Sequence, residues 1–415
     1  MPLVSRDALI VSNAIAPSPT DERVRRYALA MNGQTQQRDE LFDRIDTIAP
    51  LLAADVAHGD QLRHLPDTTV AAMRGAGLLE LKVPAVLGGG EAEPRLQFEV
   101  FERVAMINAC AAWCLFIYAD SLGGACAGLS EAGLEMLLAD GFPTMSGGGG
   151  LRPGLLAVDD GGFRLTGNFR YGSGIHGARW ALLMGLVDSG GARSGIRMCV
   201  VPTAALDIGD TWHVLGMRGT GSTDYAARDV FVPEEMTFPA GMAPRRGGRM
   251  FRTGIAGYLG YPIPAVAVGI VQRALDEVVA GAGSTMRGYG RPTALASRAT
   301  FQSFVGEADL RLRAARALML SDGDDLMDHV ERGVPDLRGR EARTRASGAW
   351  AVKTASEVLA DLARFAGGSA LSEGTVIERA VRDLAVAASH LLVSDSAYEN
   401  HAQFLLGIEG ADPMA

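Results

Sequence analysis

The sequence has little of what marks a secreted, zinc-binding or thiol-redox protein. It contains only four cysteines among 415 residues, and no two of them form a C-x-x-C pair. No histidine stands beside them at the spacing of a zinc site. We therefore expect no metal site, and reduced core thiols in a cytoplasmic protein. The four are Cys110, Cys114, Cys126 and Cys199.

Positive charge is also scarce. The chain has 39 Lys and Arg against 48 Asp and Glu, a net charge of −9. This balance argues against nucleic acid or an anionic membrane surface as the main partner. The first residues, MPLVSRDALIVSNAIAPSPTDERVRR, lack a basic start followed by an apolar core, so no secretory signal is expected.

A long hydrophobic run without breaks is missing as well. Residues 254–271, GIAGYLGYPIPAVAVGIV, carry no charge, but glycines and prolines interrupt them before their helical part. A bilayer span needs about 20 apolar residues. We expect a buried helix preceded by a loop, and no membrane association.

Strands and helices do not alternate along the chain, which argues against a Rossmann or TIM arrangement. After a 35-residue extension, residues 36–143 have helical patterns, including an amphipathic helix near Leu41 and Ile45 and one long helix over residues 95–119. Residues 144–238 have short strands and a hairpin signal, DDGG. Residues 239–415 are helical again, and no internal repeat is visible.

Two glycine clusters do not have the context of a phosphate-binding loop. GTGSTD, residues 219–224, precedes a predicted strand, whereas a dinucleotide loop must open a helix. GGGG, residues 147–150, leads into the hairpin. Either cluster can line a ligand or serve close strand-edge geometry, and the sequence leaves both open.

Four stretches in the right order carry a family resemblance: RDELFDRIDTIAPLLAADV…LPDTTVAAMRGAGLLELKVPAVLGG, RLTGNFRYGSGIHGARW, HVLGMRGTGSTDYAARDVFVPE and RDLAVAASHLLVSDSAYENHAQFLLG. Over residues 37–408 the chain resembles the acyl-CoA dehydrogenase superfamily. It is most similar to the two-component flavin-dependent monooxygenase branch, which includes hydroxyphenylacetate hydroxylases, indole oxygenases and dibenzothiophene monooxygenase.

The resemblance implies an α+β fold with a helical N-terminal domain, a central β-barrel and a C-terminal four-helix bundle, assembled as a homotetramer. It also implies FAD (or FMN) supplied reduced by a separate NAD(P)H-flavin reductase. The reaction implied is oxygenation of a small aromatic or heteroaromatic substrate by O2 through a C4a-hydroperoxyflavin.

The dehydrogenases of this superfamily commonly carry a glutamate base shortly after the RD pair, and here that stretch is AASHLLVS, without a carboxylate. In the monooxygenase branch a histidine at the position of His390 lies near the flavin edge and the substrate. An imidazole there can bond oxygen or take a proton, because its pKa lies near neutral. On a helical wheel His390 shares a face with Asp383, Val386 and Ala387. The alternative is a core histidine bonded to a carbonyl.

Two further residues match positions beside the flavin ring. Ser173 matches a serine at the flavin N5 edge, with Gly174 and Trp180 completing the motif; His176 stands one position early and receives no role. Trp113 matches a tryptophan near the flavin and substrate. The alternatives are a turn serine and a core tryptophan.

The nucleotide half of the flavin has its own candidates. Gln302 resembles a glutamine that reaches the flavin nucleotide of a neighbouring subunit, and Gly367 and Gly368 resemble glycines that let the nucleotide approach the backbone. Arg287 is the nearest candidate for the accompanying arginine. The arginines of residues 245–252, RRGGRMFR, are either a solvated loop or an anion clamp.

Two other functions stay open. One is an FAD-dependent dehydrogenase or oxidase of an acyl-CoA or carrier-bound thioester with a relocated base, for which Glu307, Asp309 and Glu399 are the nearest carboxylates. The other is a non-catalytic flavin-binding or ligand-binding scaffold.

Overall fold

The computed structural model describes residues 22–147 and 152–415, and within them helices, then strands, then helices follow one another as predicted. Most of the GGGG stretch and most of the N-terminal extension lie outside the described residues. The helices are α1 (Glu22–Ala54), α2 (Val56–Leu62), α3 (Asp67–Gly75), α4 (Pro94–Ile107), α5 (Ala109–Gly128), α6 (Glu131–Leu138), α7 (Ile255–Leu259), α8 (Pro262–Gly281), α9 (Ala299–Arg332), α10 (Leu337–Ala366), α11 (Val376–Ala387) and α12 (Ser396–Leu405). The strands are β1 (Met145–Gly147), β2 (Gly154–Asp159), β3 (Gly162–Gly172), β4 (Trp180–Ser189), β5 (Ala192–Pro202), β6 (Asp207–Ile208), β7 (Thr223–Pro233), β8 (Thr237–Pro239), β9 (Met286–Arg287) and β10 (Thr293–Ala294).

The first helix begins at Glu22, inside the segment predicted as an extension. Its apolar stripe is buried as the spacing predicts, with Leu41, Ile45 and Leu52 at most 6% exposed. The single long helix predicted over residues 95–119 is wrong. The helix breaks at Asn108, whose side chain accepts a hydrogen bond from the backbone N–H of Ala111 and so begins α5 as a separate helix.

The DDGG stretch forms the predicted hairpin, in which β2 and β3 pair antiparallel and Asp159 faces Gly162 across the turn. The eight-stranded sheet runs in the order β6-β7-β3-β2-β4-β5-β8, with β1 beside β4. The predicted closed barrel is not found among the described residues, because no hydrogen-bonded ladder joins the terminal strands β6 and β8. The sheet is therefore open, and its terminal strands β6 and β8 have two and three residues.

The sheet is fastened to the C-terminal helices by the loop before β7. Gly216 lies so close to the backbone of Arg382 in α11 that an added Cβ would overlap the Arg382 carbonyl. Asp383 accepts a hydrogen bond from the backbone N–H of Met217 at 2.6 Å. Arg382 reaches Asp60 of α2 at 3.1 Å. The RD pair thus ties α11 to both the sheet and the N-terminal helices.

Two helical stretches among the described residues are long and apolar enough to cross a bilayer. They are Ala109–Gly128 and Ile255–Gly281, and 83% and 72% of their apolar windows are buried inside the protein. The second contains α8, which begins with Pro262 in its first turn and is the buried helix predicted from residues 254–271. All four cysteines are buried and carry free thiols.

Candidate active site

Three of the predicted site residues meet, although they come from three distant parts of the chain. Trp113 lies in α5, Ser173 follows β3, and His390 follows α11. The indole Nε1 of Trp113 donates a hydrogen bond to Ser173 Oγ at 3.2 Å. The rings of Trp113 and His390 meet edge to face with centroids 5.8 Å apart. The fold thus places a hydroxyl, an indole and an imidazole beside one another.

Ser173 is a buried residue, only 4% exposed, and not an exposed turn serine. Its carbonyl accepts a hydrogen bond from Ser146 at 2.9 Å. The next residue, Gly174, has φ +71°, and an added Cβ there would overlap the ring of Tyr118. The Tyr118 hydroxyl donates to the Gly174 carbonyl at 2.8 Å. The turn that carries Ser173 is therefore fixed against α5 and requires glycine at position 174.

His390 does not lie on a helix, so the predicted helical face shared with Asp383 and Val386 is wrong. The helix α11 ends at Ala387, where the hydroxyl of Ser389 bonds the carbonyl of Val386. His390 has an extended backbone, with φ −73° and ψ 139°, and begins a short 3-10 turn. A hydroxyl that bonds a carbonyl three residues back competes with continuation of the helix.

The hydrogen bond at His390 decides where the imidazole proton lies. Its Nδ1 accepts from the backbone N–H of Leu392 at 3.2 Å, so the neutral ring carries its proton on Nε2. Nothing in the described part of the chain bonds Nε2. Burial lowers the pKa of His390 to about 4, well below the near-neutral value expected from the sequence. The ring is neutral at pH 7 and presents an N–H donor.

A line of hydroxyl groups leads away from Ser173. Ser173 Oγ lies 2.7 Å from Ser222 Oγ, which lies 2.7 Å from Thr220 Oγ1. Thr220 Oγ1 donates to the carbonyl of Met217 at 2.8 Å. Sequence reasoning missed Thr220 and Ser222, although both stand in the GTGSTD stretch. That stretch was interpreted only through its glycines, whereas its hydroxyl side chains could have indicated a polar site.

Arg345 was also missed, because a single arginine in a long helix gives no signal in the sequence. It lies in α10 and is 2% exposed. Its guanidinium donates to the carbonyls of Leu391, Leu392 and Pro413 at 2.9–3.3 Å, and to Ser396 Oγ at 2.9 Å. It therefore holds the turn that directly follows His390.

The predicted nucleotide residues lie elsewhere: Arg287 meets Gly367 at the C-terminal end of α10, before α11, and Gln302 lies in the first turn of α9. The guanidinium of Arg287 donates to the carbonyl of Ala366, and an added Cβ on Gly367, whose φ is +80°, would come 2.7 Å from this guanidinium. Gly368 borders open space, since a Cβ there would meet nothing within 4 Å. Gln302 is exposed and donates to the carbonyl of Ala296 at 2.9 Å.

The remaining candidates lie apart from these two groups. His176 contacts the ring of His64, with centroids 4.8 Å apart, and burial together with His64 lowers its pKa. Three arginines of residues 245–252 have carboxylate partners within the protein, which favours a structural loop over an anion clamp; they are Arg246 with Glu131, Arg249 with Glu93 and Arg252 with Glu331. The candidate bases for a thioester dehydrogenase are all exposed; they are Glu307, Asp309 and Glu399.

A cavity of about 490 Å³ lies between the N-terminal helices, α8 and α11. Cys110 and Asp383 are among its lining residues, whereas Trp113, Ser173 and His390 are not. Burial raises the pKa of Asp383 to about 6, against the hydrogen bond from Met217, which favours the charged form.

Comparison with known proteins identifies relatives of this chain. Residues 261–395 match the family described as acyl-CoA dehydrogenase, C-terminal domain. Indole-3-acetate monooxygenase of Pseudomonas putida is 28% identical over 352 residues, covering 84% of this chain and 89% of that protein. The oxygenase component of the FADH2-dependent resorcinol hydroxylase of Rhizobium sp. is 26% identical, covering 91% and 96%. Both relatives are named as oxygenases of aromatic compounds, and the second is named as FADH2-dependent.

A comparison of whole structures also finds a close match to a flavin-binding protein. XiaF from Streptomyces sp., solved in complex with FADH2 and glycerol, superposes with a TM-score of 0.84 at 26% identity, covering 93% of this chain and 99% of XiaF. The family resemblance read from the sequence motifs is therefore confirmed.

The side chains present fit a flavin ring. The unpartnered Nε2–H of His390 and the hydroxyl oxygen of Ser173 suit the polar edge of a flavin, and the Trp113 indole is a flat apolar neighbour. Gly368 borders open space, as a nucleotide approaching the backbone would need.

Proposed function

We propose that this chain is the oxygenase component of a two-component flavin-dependent monooxygenase. It takes reduced flavin from a separate NAD(P)H-flavin reductase and uses O2 to oxygenate a small aromatic or heteroaromatic substrate. The observation that carries the proposal is the meeting of Trp113, Ser173 and His390. Within the described residues, none of their hydrogen bonds or ring contacts involves a carboxylate.

That composition suits oxygen transfer better than thioester desaturation, which requires a strong base beside the substrate. When bound, a reduced flavin supplies the two electrons that activate O2. Ser173 would hold the polar edge of the flavin through its hydroxyl, and Trp113, a residue only 8% exposed, would exclude water on one side. Neutral His390 donates a hydrogen bond from Nε2 to oxygen at the reacting centre. Its Nδ1 is engaged by Leu392, which leaves no free lone pair for general-base work.

The second group of residues would hold the nucleotide half of the flavin. Gly367 and Gly368 allow close approach to the backbone, and Arg287 and Gln302 supply donors. Gly367 and Gly368 precede α11 and His390 follows it. Following the superfamily resemblance, we assign the nucleotide to a neighbouring chain of a homotetramer. In this proposal α8, α9, α10 and α11 form the four-helix bundle that the superfamily resemblance implies.

The proposal is tested with purified protein and chemically reduced FAD or FMN under O2. The expected result is product carrying one atom from 18O2 when a phenol or indole is present, detected by mass spectrometry. NAD(P)H with oxidised flavin and no reductase should give no product. The contradicting result is protein that retains oxidised FAD tightly and desaturates an acyl thioester with an artificial electron acceptor.

A further inference from the structure

The hydrogen bonds around Ser173 permit only one arrangement of protons. Four contacts link Trp113 to Ser173, Ser173 to Ser222, Ser222 to Thr220, and Thr220 to the carbonyl of Met217. Four protons are available for them, one from the indole and one from each hydroxyl. Because the Met217 carbonyl can only accept and the indole N–H can only donate, both ends of the line are fixed.

The direction of each inner bond follows from the ends. Thr220 uses its single proton on the Met217 carbonyl, so Ser222 must donate to Thr220. Ser173 must then donate to Ser222, and the oxygen of Ser173 accepts from Trp113. Any reversal leaves one of the four bonds without a proton. Burial favours this one arrangement further, because water has little access to replace a lost hydrogen-bond partner. Ser173, Ser222 and Thr220 are at most 4% exposed.

We infer that Thr220 and Ser222 are positioning residues that make Ser173 a hydrogen-bond acceptor toward the cofactor. The inference rests on the proposed function. The N5 of a reduced flavin carries a proton and donates, whereas the N5 of an oxidised flavin has no proton and accepts. A serine whose own proton is committed to Ser222 can satisfy the first and not the second. The hydroxyl line therefore makes the site prefer reduced over oxidised flavin.

The test measures the Kd of oxidised and of reduced FAD, with FMN in parallel, by anaerobic equilibrium dialysis. Wild-type protein should bind the reduced form more tightly. Thr220→Val removes the hydroxyl that accepts the Ser222 proton, so Ser222 can donate to Ser173 instead. Ser222→Ala removes the acceptor of the Ser173 proton. Either change frees Ser173 to donate, so oxidised flavin should bind about three- to tenfold more tightly, the equivalent of one hydrogen bond. Reduced flavin should change less.

Two controls separate this effect from a general loss of structure. Thr220→Ser keeps the hydroxyl and should retain the wild-type preference. Thr237→Val removes another buried threonine hydroxyl, elsewhere in the sheet, which donates to the carbonyl of Glu234 and accepts from Arg197 Nε; it should also leave the preference unchanged. Melting temperatures identify any variant that fails to fold, and the Thr220 and Ser222 variants test the line independently.

The outcomes distinguish the inference from the proposed function. If wild-type protein prefers reduced flavin and both Thr220→Val and Ser222→Ala keep the same ratio of Kd values, the inference is overturned and the function stands. If wild-type protein binds neither form of flavin, the proposed function falls and the inference falls with it.

Discussion

Burial changes what the Ser173 hydroxyl and the His390 ring can do. A serine or a histidine can donate or accept a hydrogen bond, but here the neighbouring residues fix which of the two each side chain does. The Ser173 proton is directed to Ser222, and the His390 proton lies on Nε2 because Leu392 N–H occupies Nδ1. Burial keeps the imidazole neutral down to about pH 4. Trp113, Ser173 and His390 are therefore all uncharged at pH 7, and in the proposed site they suit the uncharged ring of an aromatic substrate.

Replacing Ser173 by Ala should uncouple the reaction. Without the hydroxyl, more of the O2 consumed should appear as H2O2 and less as product. The change should also cost about 1–3 kcal/mol of unfolding free energy, because the buried Trp113 Nε1 loses its acceptor and Ser222 loses a partner. Peroxide yield and denaturant unfolding check both effects. Ser284→Ala, in which an exposed hydroxyl is removed, should change stability by less than about 0.5 kcal/mol. Unchanged peroxide leakage would remove Ser173 from the site.

Replacing His390 by Phe should abolish most product formation. Removal of one hydrogen-bond donor aimed at developing charge typically costs about 10²- to 10³-fold in rate, while reduced-flavin binding should stay within a few fold. His390→Ala should fail equally. If the histidine is a structural residue, Ala should lower the melting temperature, Phe should partly restore it, and activity per folded molecule should persist. That pattern would contradict the catalytic assignment.

The stability of the protein should depend on pH through His390. The unfolded chain binds a proton at its ordinary pKa of about 6.5, whereas the folded chain binds it only near pH 4. Between these values acid therefore favours unfolding, and wild-type protein should lose about 3 kcal/mol relative to His390→Gln as the pH falls from 7 to 4. Urea unfolding of both proteins at several pH values measures this difference. If the stabilities of the two proteins change with pH in the same way, the pKa of His390 in the folded protein is near its ordinary value and the prediction is wrong.

At the scale of helices and strands, local patterns were predictable and long-range contacts were not. The stripe of Leu41, Ile45 and Leu52 and the DDGG hairpin were correct, because each depends on neighbours in sequence. The break at Asn108 was missed, since its cap is one hydrogen bond within a run that is otherwise apolar. The open sheet could not be foreseen, because closure depends on pairing between β6 and β8, which lie about 30 residues apart.

The same limit applies to the candidate site. Ser173, Trp113 and His390 were named from motifs, but their meeting depends on how α5, β3 and α11 pack, which no motif encodes. Arg345 lies 45 residues before His390 and contacts the turn at residues 391–393 through the backbone carbonyls of Leu391 and Leu392. Backbone acceptors have no side-chain identity, so nothing in the sequence at residues 391–393 points to an arginine partner.

Arg345 should therefore be essential to the turn that carries His390. Arg345→Met leaves the carbonyls of Leu391, Leu392 and Pro413 without this donor and should cost about 2–4 kcal/mol of unfolding free energy. Amides of residues 391–393 should also exchange hydrogen faster. Arg338→Met is the matched control on the same helix, because Arg338 pairs with Asp412 at the exposed surface and should contribute less than about 1 kcal/mol. Equal effects of the two changes would contradict the assigned role.

At the scale of the whole molecule, the two groups of candidate residues are separated by the length of α11. That helix has 12 residues and therefore spans about 18 Å. His390 follows its C-terminal end, and Gly367 and Gly368 precede its N-terminal end. In the proposed tetramer each flavin lies with its ring against His390 of one chain and its nucleotide against Gly368 of another, so neither chain alone completes a site.

Mixed tetramers test this division of the site. His390→Ala should inactivate the ring end, and Gly368→Trp should block the nucleotide end without disturbing the fold, because position 368 borders open space. Each variant alone should be inactive. If sites are shared between chains, co-expression creates some sites with an intact His390 from one chain and an intact Gly368 from the other. For randomly paired chains about a quarter of wild-type activity should return. If both groups of one chain serve the same flavin, every site in a mixed tetramer carries one defect and no activity returns. Size-exclusion chromatography with light scattering confirms that the chains have mixed, and mixing after assembly, without exchange of subunits, should restore nothing.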